Sequence, residues 1–134
     1  MKKCLIDTDI LSLMMRMDAN VIKQAQKYIK KHSQLTFSII TEYEILRGLK
    51  VKNATKQIKV FEQICTKNEI LPITNGIIIK ATEIYAELYK GGKLIGDADI
   101  LIAATAMVHN LELITNNENH FNRITGLRLD NWSK

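Results

Sequence analysis

The sequence predicts an α/β fold, a short and mainly parallel central sheet flanked by helices. Three observations carry this. Short apolar stretches of strand length alternate with longer stretches of helical periodicity. Two of the strand-like stretches end alike in polar clusters, Asp7-Thr8-Asp9 and Thr115-Asn116-Asn117. Between them, Gly96 to Ala106 reads GDADILIAATA, a helix with no polar stripe and therefore one that is buried rather than amphipathic. At 134 residues the chain has the length of one domain, 1–134, and can bury one substantial core.

Taken in order, Lys3 to Ile6 reads as a short buried strand ending at Asp7, and Asp7-Thr8-Asp9 turns into a short helix through Leu11 and Met14. Ala19 to Lys31 has an amphipathic pattern, with Ile22, Ala25 and Ile29 on the apolar face and Lys23, Lys27, Lys30 and Lys31 opposite. Leu35 to Phe37 is a second strand, and Ser38 can cap a helix from Ile39 to about Lys50, with Ile39, Ile40, Tyr43, Leu46 and Leu49 at helical spacing. Gly48 weakens that helix. Asn53 is the expected cap of a further helix with Ile58, Phe61 and Cys65 inward. Ile70, Leu71 and Pro72 form a short extended segment. Thr74 or Asn75 opens a long helix through Ile77, Ala81, Ile84, Tyr85 and Leu88 that ends near Gly91-Gly92. In the buried helix, Gly96 and Asp97 mark the start, and Ala103, Ala104 and Ala106 allow close packing on a sheet. Leu111 to Thr115 is a later strand, and Gly126 to Trp132 adds a last one. Phe121 and Trp132 are core candidates.

Composition narrows the class. The hydrophobic fraction of 46% and charged fraction of 25% are those of a soluble globular protein. Cys4 and Cys65 form no CxxC pattern, which argues against a disulfide scaffold or zinc site and for a reduced, cytoplasmic setting. The first residues only imitate a signal peptide, because Asp7 and Asp9 interrupt the apolar run, and no stretch reaches the length of a membrane span. The net charge of +5 is compatible with a nucleic-acid partner, and the lysine face is a candidate contact.

In open parallel sheets, sites form beyond the C-terminal ends of the strands. Asp7 and the Thr115 cluster then share one sheet edge, and Asp99 joins them if its helix starts there. Carboxylates gathered without histidine or cysteine suit Mg²⁺ or Mn²⁺, ions that keep open positions for water or phosphate oxygen. Such sites in basic proteins act on phosphodiesters. The histidines, His32, His109 and His120, are scattered, and only His120 is near the proposed site. Glu42 reads as a surface residue.

Four motifs follow one another in order: LIDTDIL at Leu5–Leu11, SIITEYEILRGL at Ser38–Leu49, DILIAATA at Asp99–Ala106, and LITNNENHF at Leu113–Phe121 with GLRLDNW at Gly126–Trp132. Together they resemble a PIN-domain nuclease, and within that family the VapC-like toxins of bacterial toxin–antitoxin pairs. The resemblance implies a PIN-like three-layer sandwich and a Mg²⁺- or Mn²⁺-dependent endoribonuclease with an RNA substrate. It also implies a small cognate antitoxin and a homodimer. On this resemblance Asp7 and Asp99 hold the metal. Glu44, from the Glu-x-x-x-Gly pattern, helps bind metal or positions the attacking water. Asn117 stands where many members carry a fourth acid, so the charge there is missing. Thr8, Asp97 and Thr115 are candidate supporting residues, although Asp97 is about 200° from Asp99 around a helix. Two alternatives stand beside this: a catalytically weak PIN-like RNA- or protein-binding module, and a phosphoacceptor receiver domain. The receiver lacks its middle-strand aspartate and its last-strand lysine here.

Overall fold

A computed structural model describes residues 1–134. The elements run β1 (Cys4–Ile6), α1 (Thr8–Met15), α2 (Ala19–His32), β2 (Thr36–Ser38), α3 (Ile39–Val51), α4 (Thr55–Lys67), β3 (Glu69–Leu71), α5 (Asn75–Lys90), α6 (Asp97–Val108), β4 (Glu112–Ile114), α7 (Glu118–Phe121) and β5 (Leu129–Asp130). Every strand pairing is parallel. One ladder has the order β1-β4-β5 and the other joins β2 to β3, with β2 lying alongside β1.

Strand periodicity explains the three layers. Successive side chains of β1 point to opposite faces. Leu5 enters one core with residues of α5 and α6, while Cys4 and Ile6 enter a second core with residues of α1 and α2. β4 divides in the same way, Leu113 to the first core and Ile114 to the second. The sheet is thus covered by helices on both faces, as a parallel sheet requires. The apolar helix α6 buries Ile100, Ile102, Ala103, Ala104 and Ala106. Its largest contact is with α5, and it also touches β4 and α3, so its alanines serve helix packing as much as sheet packing. No helix of the chain is long and apolar enough to cross a membrane.

Several local expectations are corrected. The buried face of α2 is Val21, Ala25 and Tyr28, not Ile22, Ala25 and Ile29, and Ile29 is exposed. The physical reason is Tyr28, whose hydroxyl accepts the Cys4 N–H at 3.1 Å and turns the helix so that this ring lies under β1. In α3 the buried residues are Thr41 and Ile45, while Ile39 and Tyr43 are exposed. Tyr43 instead carries the Arg47 guanidinium 5.1 Å from its ring centre. Asn53 does not cap α4; it turns the chain at φ 53°, and Ala54 holds the cap position with no side-chain bond. Tyr85 lies outward on α5. Other boundaries agree closely: Ser38 accepts the Ile40 N–H at 3.0 Å, Thr74 caps α5, and Gly92 leaves that helix at φ 67°. The four-residue α7 was not expected. Phe121 and Trp132 are both buried.

Candidate active site

Parallel register brings the first two residues together. Asp7 and Thr115 lie one step beyond the Ile6–Ile114 pair, and the Asp7 N–H donates to the Ile114 carbonyl at 2.9 Å. The Asp7 carboxylate then does two things. Its Oδ1 accepts the Thr8 N–H at 2.8 Å and so caps α1. Its Oδ2 accepts the Thr115 hydroxyl at 2.8 Å. Only 4% of the residue is exposed.

Polar contacts extend in both directions from this pair. Thr115 Oγ1 accepts the Asn117 N–H at 2.9 Å. The Asn117 amide is 2.9 Å from His120 Nδ1, and the same ring nitrogen is 3.2 Å from Asp99 Oδ2. On the other side, the Thr8 hydroxyl donates to Glu44 Oε1 at 2.7 Å and stands 2.9 Å from the Thr41 hydroxyl. Glu44 Oε2 lies 3.7 Å from Arg47. One connected chain therefore runs Glu44, Thr8, Asp7, Thr115, Asn117, His120, Asp99. It gathers Asp7, Glu44, Asp99 and Asn117 with the supporting residues Thr8 and Thr115. Asp97 stays outside. It is exposed at the first position of α6, the cap position is Gly96, and no side-chain bond closes that helix end. Because the helix begins at Asp97, the two aspartates keep their separation around it and only Asp99 turns inward.

Two further residues belong to this arrangement. Asp9 Oδ2 accepts the Asn116 N–H at 3.1 Å, and its carboxyl lies within hydrogen-bonding reach of the Asp7 carboxyl. His120 joins Asp99 to Asn117, as described. Reading Asp9 as a turn residue hid it. The signal available was a second acid in the first turn of a helix whose cap is already an acid.

The electrostatics are those of crowded carboxyls without a lysine or arginine partner, in which Asp7 and Asp9 lie within hydrogen-bonding reach of each other. Burial raises the Asp7 carboxyl above the ordinary carboxylate range, and the neighbouring Asp9 charge raises it further, against the hydrogen bonds from Thr115 and Thr8. Burial likewise raises Asp9, with a contribution from the Asp99 charge. No lysine or arginine forms an ion pair with Asp7, Asp9 or Asp99; the only such partner is the His120 ring. The N-termini of α1 and α6 offset part of the repulsion. Beside Glu44 and Thr8 a groove of about 570 Å³ opens between α1, α3 and α4, with Arg16 and Lys52 in its wall.

Residues 4–127 match the family described as PIN domain. This chain belongs to the PIN domain family. It is similar to Ribonuclease VapC1 of Methanocaldococcus jannaschii, at 38% identity over 97 residues, 72% of this chain and 69% of that protein. Among solved structures, this PIN domain is similar to a DNA-bound VapBC from Salmonella typhimurium, with TM-score 0.88 and 27% identity over 98% of this chain and 99% of that one. It is also similar to a toxin–antitoxin complex from Klebsiella pneumoniae, with TM-score 0.69 and 26% identity over 93% and 95% of the two chains. The VapC-like PIN fold expected from the motifs is the fold observed. The receiver-domain alternative is excluded by this match, and β2 and β3 end in Ser38 and Leu71, not aspartate.

Proposed function

We propose that this PIN domain is a metal-dependent endoribonuclease, the toxin of a toxin–antitoxin pair, which hydrolyses RNA phosphodiester bonds and is neutralised by a cognate antitoxin. The observation that carries this reading is the polar chain that links Asp7 through Thr115, Asn117 and His120 to Asp99 at one sheet edge, with no lysine or arginine paired to either aspartate. The similarity to a ribonuclease supports the substrate class, and the similarity to a toxin–antitoxin complex supports the partner.

The donor set fits Mg²⁺ or Mn²⁺. It is built of carboxylate oxygens, the donors these ions take, but no three acidic or histidine side chains are placed as a ready ligand set, so water would complete the ion's shell. Asp7 and Asp99 would hold the ion. When bound, the ion supplies positive charge to phosphate oxygens and lowers the pKa of a water. The residues of the chain do the rest. Thr115 and the α1 N-terminus fix the Asp7 oxygens, and His120 fixes Asp99. Thr8 aims Glu44 toward the groove, where it positions a water for in-line attack. Arg16 and Lys52 along that groove suit the phosphates of an RNA strand.

The reading includes a cytoplasmic setting, which the two free cysteines fit. It also includes a homodimer, supported by Ile78, Tyr85 and Tyr89, which are exposed along one face of α5. The test is to incubate the purified, EDTA-stripped chain with total cellular RNA and map new ends with and without Mg²⁺. Metal-dependent cuts at defined sites are expected. RNA left intact in the presence of metal defeats the enzymatic reading and favours a binding module.

A further inference from the structure

This inference rests on the endoribonuclease reading above and concerns where the rest of the RNA lies. The charge of α2 is unlike that of the other long helices. It holds Lys23, Lys27, Lys30 and Lys31 and no acid. By contrast, α4 and α5 intersperse Glu62, Glu83 and Glu87 among their lysines. At about 100° per residue the four lysines fall within about 100° of arc, opposite the buried Val21, Ala25 and Tyr28. All four are exposed, and none forms an ion pair.

Helix stability does not account for this stripe. Lys23 with Lys27, and Lys27 with Lys31, are like charges one turn apart, which repel. The helix dipole favours cations only in the last turn, so it explains Lys30 and Lys31 but not Lys23 or Lys27. The place of α2 in the fold suggests another role. The helix starts at the site edge: the Asn20 amide donates to the Ser133 carbonyl at 3.2 Å, and the Ser133 hydroxyl donates to Asn116 Oδ1 at 3.0 Å, next to Thr115. Arg16 of the groove wall is the C-cap of α1 and lies in the turn that leads into α2. From Asn20 to Lys31 the helix covers about 17 Å. It ends at the opposite edge, where His32 Nε2 is 2.8 Å from the Met1 carbonyl ahead of β1. There Lys31 crowds the Met1 α-amino group and lowers its pKa, and no carboxylate pairs with either cation. A line of unpaired cations that continues from the groove complements a strand whose phosphates repeat along its length. Its continuity with the groove selects RNA over a lipid surface.

We infer that the lysine stripe of α2 is a second contact for the RNA substrate, holding phosphates of the strand that flanks the segment in the groove. Such contacts position the strand and do not read its bases. The RNA cut by this PIN domain then carries a flank long enough to pass from the groove onto α2.

The test is binding of a fluorescein-labelled oligouridylate of about 30 nucleotides to the full chain in EDTA, read by anisotropy from low to high salt. Lys23→Gln, Lys27→Gln, Lys30→Gln and Lys31→Gln together are expected to weaken binding about tenfold or more at low salt, and to reduce the slope of log K against log salt by about 2 to 3. The four Lys→Arg changes at these positions should retain wild-type affinity. Lys59→Gln, Lys67→Gln, Lys90→Gln and Lys93→Gln together remove the same charge from exposed positions elsewhere, and should change affinity by less than about threefold. A further measurement needs no variant. As oligouridylate is added to the ¹⁵N-labelled wild type, the amide signals of Arg16 and Lys52 and those of Lys23, Lys27 and Lys31 should shift together and saturate at one strand per protomer. An α2 glutamine variant that binds like wild type or like the control variant overturns the inference and leaves the endoribonuclease reading in place. Groove and stripe signals that saturate separately do the same, as does a variant whose only loss is of binding to phosphatidylserine vesicles. Should the α2 variant fail to fold, the titration decides. A wild-type chain that binds oligouridylate through α2 but leaves total cellular RNA intact with Mg²⁺ overturns the endoribonuclease reading, and with it the substrate role of the stripe.

Discussion

The two ends of the same parallel sheet treat carboxylates in opposite ways. At the N-terminal end, Glu69 opens β3 and is met by the Lys3 ammonium at 3.0 Å and the Thr36 hydroxyl at 2.9 Å. Those partners hold its carboxyl below the usual range, the Lys3 bond first. At the C-terminal end, Asp7 and Asp9 are raised, burial first, with no lysine or arginine to offset them. One end stabilises its negative charge within the chain, while the other leaves it to be satisfied from outside. Connections at the N-terminal end are free to optimise stability, whereas the strand-to-helix turns at the C-terminal end carry the chemistry. A carboxylate's partners, more than its presence, separate structure from function here.

The largest expected effect comes from removing charge at the C-terminal end. Asp7→Asn or Asp99→Asn should reduce RNA cleavage by more than about 100-fold, since each removes a proposed metal ligand. The metal-free Asp99→Asn protein should melt no lower than metal-free wild type, because one of several like charges is gone. Mn²⁺ at 100 times its Kd should stabilise the wild type by about 2.7 kcal/mol and the variant hardly at all. A large drop in the variant's metal-free melting temperature, with Mn²⁺ silent on both proteins, would show that Asp99 is a structural residue and that the two sheet ends are alike.

The next effect is one of pH. The folded Asp7 carboxyl is pushed up to about 8, against 3.8 ordinarily. Between those values the folded chain holds a proton that the unfolded chain has released, so unfolding becomes easier as pH rises. Glu69 works the other way. Its lowered value contributes stability above the ordinary 4.5, and that contribution is lost as pH falls through the folded value. Melting followed by circular dichroism in EDTA should therefore show stability declining from about pH 5 to pH 8, with Asp7→Asn flattening the decline. Mn²⁺ should reverse it, because the ion competes with the proton and binding releases it. A wild-type profile that rises steadily over this range would contradict crowded carboxyls without a lysine or arginine partner.

The contrast between the ends also explains what could be read from residues alone. Asp7, Asp99 and Asn117 stand at strand ends and helix starts, so the alternation of strands and helices points them to one sheet edge, whereas Glu44, in the second turn of α3, and the role of Asn117 were legible only through the resemblance to PIN-domain nucleases. The α3 face was misread because its inward positions include Thr41, with Glu44 beside it on the site, so hydrophobic periodicity pointed to Ile39 and Tyr43, which are exposed. Asp9 was missed because its distinguishing property, a partly buried carboxyl set against that of Asp7 and held by the Asn116 N–H, exists only in three dimensions. The helix α7 has four residues, too few to show a period. The turn of α2 toward Tyr28 followed from one tertiary hydrogen bond to the Cys4 backbone, which no local pattern announces.

The smallest expected effect lies at the N-terminal end and completes the comparison. Glu69→Gln removes one negative charge, as Asp99→Asn does, but here the charge has a partner. The Lys3 and Glu69 side chains are 52% and 34% exposed, so solvent screens the pair. An exposed pair of this kind is worth up to about 1 kcal/mol, and glutamine can keep the Thr36 hydroxyl bond through its carbonyl oxygen. The melting temperature should therefore fall by no more than about 4 °C. The sign matters more than the size: neutralising Glu69 lowers stability, whereas neutralising Asp99 in the metal-free protein does not. Mn²⁺ affinity and RNA cleavage should both remain at wild-type values, because nothing at this end touches the hollow. A Glu69→Gln protein that is folded yet loses cleavage would place part of the chemistry at the N-terminal end and break the division between the two ends of the sheet.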